Sequence, residues 1–295
     1  VGKNNSIAAV PWQYSSFHEG GQQVTRSKTY VLTAIAALLY VLLGWVFADD
    51  LFFGTFWRSD EIASSSLWTW VFLVLIIAAG LWQARELGDR AVDTRAEQVV
   101  ETPGQTEDPR FWRLLMGNAY YAILWLPVRF FVGQQWLSSG EGKVRDSAWM
   151  DGGEALRGYW ERVVEVPETG RPAITYAWYR DFLQYMLDNE WYSWFAKLIA
   201  IGEVLVGIAL IVGALVGIAA FFGTFLNFNF MLAGTASTNP VLFGLSVFLV
   251  LAWKVAGYWG LDRYLLPILG APWKPGPLFR GQLVTRRSGV ENPAG

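Results

Sequence analysis

Apolar residues gather along this chain into six runs, separated by polar stretches of very unequal length. The runs fall near 30–47, 67–84, 114–136, 194–212, 214–233 and 240–260. A hydrocarbon core of ~30 Å takes ~20 helical residues to cross, and each run approaches or reaches that length. The pattern therefore predicts an all-α integral membrane protein with about six transmembrane helices. The second run is bounded by "SSS" before it and "QARELGDR" after it. The fourth and fifth are nearly continuous, and Gly213 and Gly217 are the expected hairpin between them. The sixth opens at "STNP", where Asn239 can cap a helix and Pro240 suits its first position.

The polar stretches differ in kind. Residues 1–29 and 274–295 read as tails. Residues 85–110 read as a charged linker, because "DRAVDTRAEQVVETPGQTEDPR" (89–110) alternates charge and is punctuated by Pro and Gly. Residues 137–190 are different. "WMDGGEALRGYWERVV" and "TYAWYRDFLQYMLDNEWYSWF" set aromatics at helical spacing beside charges. They predict amphipathic helices that lie on the membrane surface or fold over the mouth of the bundle; in the plainer version the aromatics are simply the core of a packed lid.

Composition supports the membrane class. Hydrophobic residues make up 53% of the 295, charged residues 16%, and mean hydropathy is +0.28. Several of the 17 tryptophans stand near the ends of apolar runs, as interfacial belts require. A net charge of −2 gives no reason to expect a nucleic-acid partner. The chain has no cysteine and one histidine, His18, outside the apolar runs. It therefore supplies no disulfide, iron–sulfur ligand, thiolate metal site or pair of intramembrane haem histidines. Any redox chemistry must use a dissociable cofactor or a partner's metals.

Basic residues suggest an orientation. Lys3, Arg26 and Lys28 precede the first run; Arg85, Arg90, Arg95, Arg110 and Arg113 follow the second; Arg263, Lys274, Arg280, Arg286 and Arg287 follow the sixth. The opposite short loop, "ADDLFFGTFWRSDEIASSS", holds only Arg58 against four acids. An even number of spans then puts both termini in the cytoplasm of a prokaryotic cell and the 137–190 loop outside.

Five blocks, in order, are "LPVRFFVGQQWLSSGEGKV" (126–144), "WMDGGEALRGYW" (149–160), "GEVLVGIALIVGALVGIAAFFG" (202–223), "GTASTNPVLF" (234–243) and "AWKVAGYWGLDRYLLPILGAPW" (252–273). On these, residues 111–273 resemble the DoxX/DoxD family of small four-helix membrane proteins. Residues 30–84 add two N-terminal helices outside that core. The resemblance implies a membrane subunit tied to quinone chemistry, since the family takes its name from small subunits of thiosulfate:quinone oxidoreductase and of a terminal quinol oxidase. Many relatives place an arginine just after the hairpin that follows the glutamate helix, where this chain has "GALVG".

The polar residues inside the apolar runs are the candidate site, because ionisable groups at membrane depth are functional candidates by default. Glu203 is the one carboxylate in "AKLIAIGEVLVGIALIVG". With the fourth run entering near Trp194 and the third leaving near Trp136, a rise of 1.5 Å per residue puts Glu203 roughly 13 Å and Arg129 roughly 10 Å below the outer face. The same bookkeeping puts Asn227 and Asn229 roughly 6–9 Å below it. Arg129 is thus the expected partner of Glu203, with Gln134, Gln135, Asn227 and Asn229 completing the shell. Lys197 reads as interfacial, Lys254 as a snorkeller of the cytoplasmic half or else a second partner, and Asp262 with Arg263 as a local ion pair. Two readings of Glu203 and Arg129 stand open. One is a buried ion pair that fixes helix register. The other is a quinone headgroup pocket in which Glu203 relays a proton.

At the level of function the first expectation is a DoxX-type subunit of a quinone-linked electron-transfer complex. It would scaffold the complex or bind quinone and lipid beside other membrane subunits that carry the metals. The alternatives are a catalytic thiosulfate:quinone oxidoreductase subunit, its outer loop holding the anion through Arg145, Arg157 or Arg162, and a lipid- or solute-handling membrane protein with no redox role.

Overall fold

The computed structural model describes residues 23–93 and 108–270, and they are predominantly helical. The tails, including His18, Lys3 and the basic cluster from Lys274 onward, and the linker around Arg95 lie outside the described residues. Helix α1 (Arg26–Phe47) is capped by Thr25, whose hydroxyl accepts from the Lys28 amide. A short α2 (Asp49–Phe53) and a loop lead into α3 (Leu67–Leu87). A two-residue antiparallel pairing, β1 (Gln23–Val24) with β2 (Val92–Asp93), ties the start of α1 to the chain just after α3. The seam between α1 and α3 is close at one point, where a Cβ on Gly80 would run into the side chain of Thr33.

Helix α4 (Arg110–Gly117) and a 3-10 turn (Ala119–Leu124) precede α5 (Trp125–Arg145). The chain bends by 75° between α4 and the Ala119–Arg145 stretch, so the third apolar run is not one straight helix. α5 also continues nine residues past Trp136, where the apolar run was expected to leave the membrane; the glycines and serines of "LSSGEGKV" stay helical because α5 packs along its length against α9 (Tyr192–Val212). The segment between α5 and α9 folds as α6 (Ser147–Met150), α7 (Glu154–Val164) and α8 (Ala177–Asp188), as its aromatic periodicity predicts. Leu156, Trp160, Val163, Ile174, Tyr179, Leu183 and Met186 make a second core with Tyr192, Ala196 and Ile199 at the start of α9.

After α9 the chain reverses through Gly213 (φ 71°) and Leu215 (φ 48°) into α10 (Val216–Leu232). Gly217 is not part of the turn: it lies inside α10, where it lets Trp253 approach closely. Helix α11 (Asn239–Leu251) comes next, with Pro240 in its first turn. Asn239 is inside the helix rather than its cap, and its side-chain Nδ2 donates to the Thr235 carbonyl at 3.1 Å. α11 ends nine residues before the expected limit of the sixth run. Residues 252–261 form successive turns, and α12 (Asp262–Ile268) closes the described chain.

Helices α1, α3 and α9 are each long and apolar enough to cross a membrane, and the bent α4–α5 pair makes a fourth candidate. α10 and α11 are apolar but shorter. The protein is thus a helical membrane protein. The main core runs through α1, α3, α5, α9, α10 and α11 without a break.

The N-terminal pair docks along α5 at three heights. Near one end Gln83 donates to the Tyr120 carbonyl (3.1 Å). At mid-height Tyr40 donates to Gln134, whose amide faces Thr69 (3.3 and 3.5 Å). At the far end the Glu141 carboxylate accepts from the Ile62 and Ala63 amides, and Ser64 meets Ser138 at 2.7 Å. The loops 48–66 and 146–191 therefore share one end of the molecule, called here the loop end. The starts of α1 and α5, the 213–215 turn and α12 share the other, the hairpin end.

Candidate functional site

Arg129, Gly133, Trp136, Gly140 and Lys143 recur at helical spacing and form one stripe of α5 facing α9. The glycines set the register. A Cβ on Gly140 would lie 2.7 Å from the Val204 amide and 3.0 Å from the Glu203 Cβ, and one on Gly207 would lie 2.6 Å from the Leu137 amide. Only glycine allows the two backbones this close. Antiparallel packing at that register brings Glu203 opposite Gly140, and Arg129 opposite the end of α9.

The expected Arg129–Glu203 pair therefore does not form. The two residues lie about 16 Å apart along α5, from eleven residues at 1.5 Å each. The depth bookkeeping put the end of α5 at Trp136, nine residues early, and that shift carried Arg129 to the wrong height.

Glu203 pairs instead with Lys143, Nζ to Oε2 at 2.7 Å. The Glu203 side chain is completely buried and that of Lys143 is 18% exposed. Lys143 also donates to Ser139 Oγ (2.6 Å) and sits 5.2 Å from the centre of the Trp149 ring, so its ammonium is held between α5, α9 and α6. The other carboxylate oxygen of Glu203, Oε1, has no hydrogen-bond partner among the described residues. Buried polar atoms are nearly always paired, so each exception needs a reason.

Among the described residues Arg129 Nε and Trp259 Nε1 are also buried and unpaired, toward the hairpin end, and three more residues with unpaired groups lie in the four-helix core. Asn227 is fully buried and neither its amide nitrogen nor its oxygen has a partner; Ser246 Oγ and Trp136 Nε1 are likewise buried and unpaired among the described residues. The packing of α10 on α5 and α9 fixes the heights of Trp136 and Asn227. A Cβ on Gly223 of α10 would meet Trp136 Nε1 (3.0 Å) and Val206 Cγ1 (3.4 Å). Asn227 is one turn from Gly223 toward the loop end, and Glu203 is about one turn from Val206 in the same direction, ~5 Å in each case. Glu203 and Asn227 therefore stand at matching height on neighbouring helices, a turn above the Trp136 indole.

The remaining expected members of the site separate from it. Asn229, two residues on, points away from Asn227: its amide returns to the Phe225 carbonyl (2.8 Å) and its oxygen accepts from the Tyr179 hydroxyl (3.2 Å). Gln135 is half-buried and lies about 140° around α5 from Gly140, at ~100° per residue, away from α9. Gln134 is committed to Tyr40 and Thr69.

Arg129 has a different task. It is buried, and its two Nη groups donate to the carbonyls of Ala256 (3.0 Å) and Trp259 (2.9 Å). These carbonyls belong to the turns that interrupt the sixth apolar run. At membrane depth an irregular backbone is tolerated only where its polar groups are satisfied inside the protein. Asp262 completes this node: its carboxylate does not pair locally with Arg263 but accepts from the Leu215 and Val216 amides, capping α10. The Leu261 and Asp262 amides in turn donate to the Val212 and Gly213 carbonyls (3.1 and 2.8 Å). A Cβ on Gly213 would lie 2.5 Å from Arg129 Nη1, so the turn glycine is needed for space as well as for its positive φ.

The three loop arginines expected to hold an anion are engaged. Arg145 pairs with Glu141 (2.7 Å), Arg157 with Glu161 (2.9 Å) and Glu154 (3.6 Å), and Arg162 lies over the Tyr159 ring (5.8 Å). Lys254 lies over Trp253 and is exposed, and Lys197 is exposed on α9. Burial pushes the Tyr179 hydroxyl up to about 12 and raises Tyr159 in the same direction. Among the described residues no three His, Cys, Asp or Glu come together as a metal site.

No family model matches the chain, and neither the curated proteins nor the solved structures contain a significant match to it.

Lys143 and Trp136 beside the Glu203–Asn227 level, and the buried Ser246 of α11, are the residues that sequence reasoning missed. A signal for Lys143 existed: Gly133 and Gly140 repeat at seven residues, and Lys143 stands three residues later on the same helix face. Nothing comparable marks Ser246.

Proposed function

We propose that this chain is a DoxX-type membrane subunit of a quinone-linked electron-transfer complex, and that its four-helix unit holds a quinone headgroup beside Glu203. The observation that carries the reading is the set of unpaired buried groups between α5, α9, α10 and α11. Trp136 Nε1, the Asn227 amide nitrogen and Ser246 Oγ can donate; Glu203 Oε1 and Asn227 Oδ1 can accept. A ligand that carries carbonyl oxygens in one redox state and hydroxyls in the other needs both kinds of group. These residues therefore fit a quinone. Bound there, it would supply a two-electron, two-proton carrier, while metal centres would reside on partner subunits.

The chain's own contribution is orientation and charge balance. Lys143 keeps one Glu203 oxygen engaged and links the buried carboxylate to the loop end, where the lysine is partly exposed. Six spans with both termini cytoplasmic, in the plasma membrane of a prokaryote, suit this arrangement. Arg26, Lys28, Arg85, Arg90, Arg110, Arg113 and Arg263 gather at the hairpin end, as a cytoplasmic face requires. The subunit reading is preferred to a thiosulfate-oxidising one because Arg145, Arg157 and Arg162, the arginines expected to hold the anion, are already held by carboxylates or a ring.

Photoaffinity labelling with an azido-quinone, on the full chain in nanodiscs, tests the proposal. Label should enter α9 or α10, and Asn227→Leu should weaken competition by unlabelled quinone about tenfold, the loss of roughly one hydrogen bond. No labelling, or labelling untouched by Asn227→Leu, would overturn it. Purification from native membranes without redox partners would favour a lipid- or solute-handling protein.

A further inference from the structure

Helix α8 has three faces. Tyr179, Leu183 and Met186 turn into the protein. Arg180, Gln184 and Asp188 form a polar face. Trp178, Phe182 and Tyr185, spaced i, i+4 and i+7, form a third that spans about 60° of arc at ~100° per residue. These three side chains are 63%, 46% and 56% exposed, so the fold itself makes little use of them.

The position of this face identifies what covers it. At the first turn of α8 the Tyr179 hydroxyl donates to the Asn229 carbonyl and side chain, which fixes α8 against the loop end of α10. There α10 presents an outward stripe of Phe221, Phe225 and Phe228. At the last turn Tyr185 meets Trp191 (ring centres 5.7 Å), and Trp191 meets Trp194 (6.0 Å). Trp194 begins the outward stripe of α9, continued by Leu198, Ile201, Leu205 and Ile208, on a helix long and apolar enough to cross a membrane. The aromatic face of α8 thus continues two apolar stripes at their loop ends. Trp and Tyr are the residues favoured at that depth, where a ring meets acyl chains and its polar edge meets headgroups and water.

We propose that α8 is an interfacial anchor, with Trp178, Phe182 and Tyr185 seated in the boundary between lipid headgroups and acyl chains. Arg180, Gln184 and Asp188 face water. The occupant of the stripe is the bilayer, not a second protein. The lid over the Glu203 end of the bundle is thereby held by lipid on one side and by Asn229 and the second core on the other. This assignment does not depend on quinone binding.

The chain has no cysteine, so single cysteines can be introduced without background. Phe182→Cys, Gln184→Cys and, as lipid reference, Leu205→Cys would be spin-labelled in the full chain, in nanodiscs of phosphatidylcholine and phosphatidylglycerol. Collision with oxygen is compared with collision with a water-soluble nickel chelate. The oxygen-to-nickel ratio at 182 should exceed that at 184 by about fivefold and approach that at 205, since an interfacial helix buries its apolar face ~5–10 Å. Tyr185→Cys gives the same reading should the 182 variant express poorly. Equal ratios at 182 and 184 would place the face in water and overturn the proposal. Protection of 182 from both reagents would show a protein covering it, and would overturn it equally.

Discussion

Removing Lys143 should cost far more than its partial exposure suggests. Lys143→Met keeps the length and apolar stem of the side chain but leaves Glu203, completely buried, with neither oxygen paired. Breaking a buried pair by deleting one partner costs ~3–5 kcal/mol, because the remaining charge is uncompensated. Glu203→Gln is milder. It removes the charge while keeping the shape, and the stranded ammonium can shift toward solvent over the Trp149 ring, so about 1–2 kcal/mol is expected. In the double variant no buried charge remains. The two costs should then fall short of additivity by about 2 kcal/mol. Arg129 provides the control. Placed about 16 Å along α5 from the level of Glu203, Arg129→Met should add to Glu203→Gln within ~0.5 kcal/mol. The assay is reversible unfolding in mixed micelles, or thermal denaturation in nanodiscs where unfolding is irreversible. Strong coupling of Glu203 to Arg129, with none to Lys143, would refute the register of α5 on α9 and everything built on it.

Other consequences are smaller in scope. Asp262→Ala removes the carboxylate that caps Leu215 and Val216, and should destabilise the protein by ~1–2 kcal/mol, with amide exchange rising first at the start of α10. Gly140→Ala drives a methyl into the Val204 amide and the Glu203 side chain; it should cost ~1–3 kcal/mol and weaken the Lys143–Glu203 coupling in the same cycle. The Tyr179 phenol, pushed up to about 12 by burial, predicts a pH dependence with a definite sign. Below ~10, the ordinary phenol value, its contribution is fully present, because the neutral form is bound in both states. Between 10 and 12 the undocked phenol ionises first, so docking of α8 weakens as pH rises. Ultraviolet titration should show late tyrosinates, with one fewer in Tyr179→Phe, and that variant should lose this part of the alkaline sensitivity.

The helical membrane class is legible in the sequence because apolar runs of that length have few other uses. The lid helices α7 and α8 are legible too, since their aromatics repeat at helical spacing. The limits of α5 are not. Hydropathy falls after Trp136, yet α5 stays helical to Arg145, because Gly140 packs on α9 and Glu141 is used by the 48–66 loop. One misplaced end displaces every height derived from it, which is why the sequence matches Glu203 with Arg129. The broken end of α11 is hidden for the opposite reason. Residues 252–260 are apolar enough to read as helix, and only the tertiary node of Arg129, Asp262 and Gly213 makes the turns tolerable. Asn227 stands buried at the height of Glu203, while its neighbour Asn229 turns away to Tyr179. Depth alone places the two together, but residues i and i+2 on a helix are separated by 200°, at ~100° per residue.

The most direct test of the central claim is an experimental structure of the chain in its native assembly. The account predicts partner subunits that carry redox centres, and headgroup-sized density within hydrogen-bonding reach of Glu203 Oε1 and Asn227, with Lys143 still on Glu203 Oε2. A chain isolated without such partners, with Glu203 and Asn227 closed on each other or on side chains of their own bundle and no ligand between them, would contradict it.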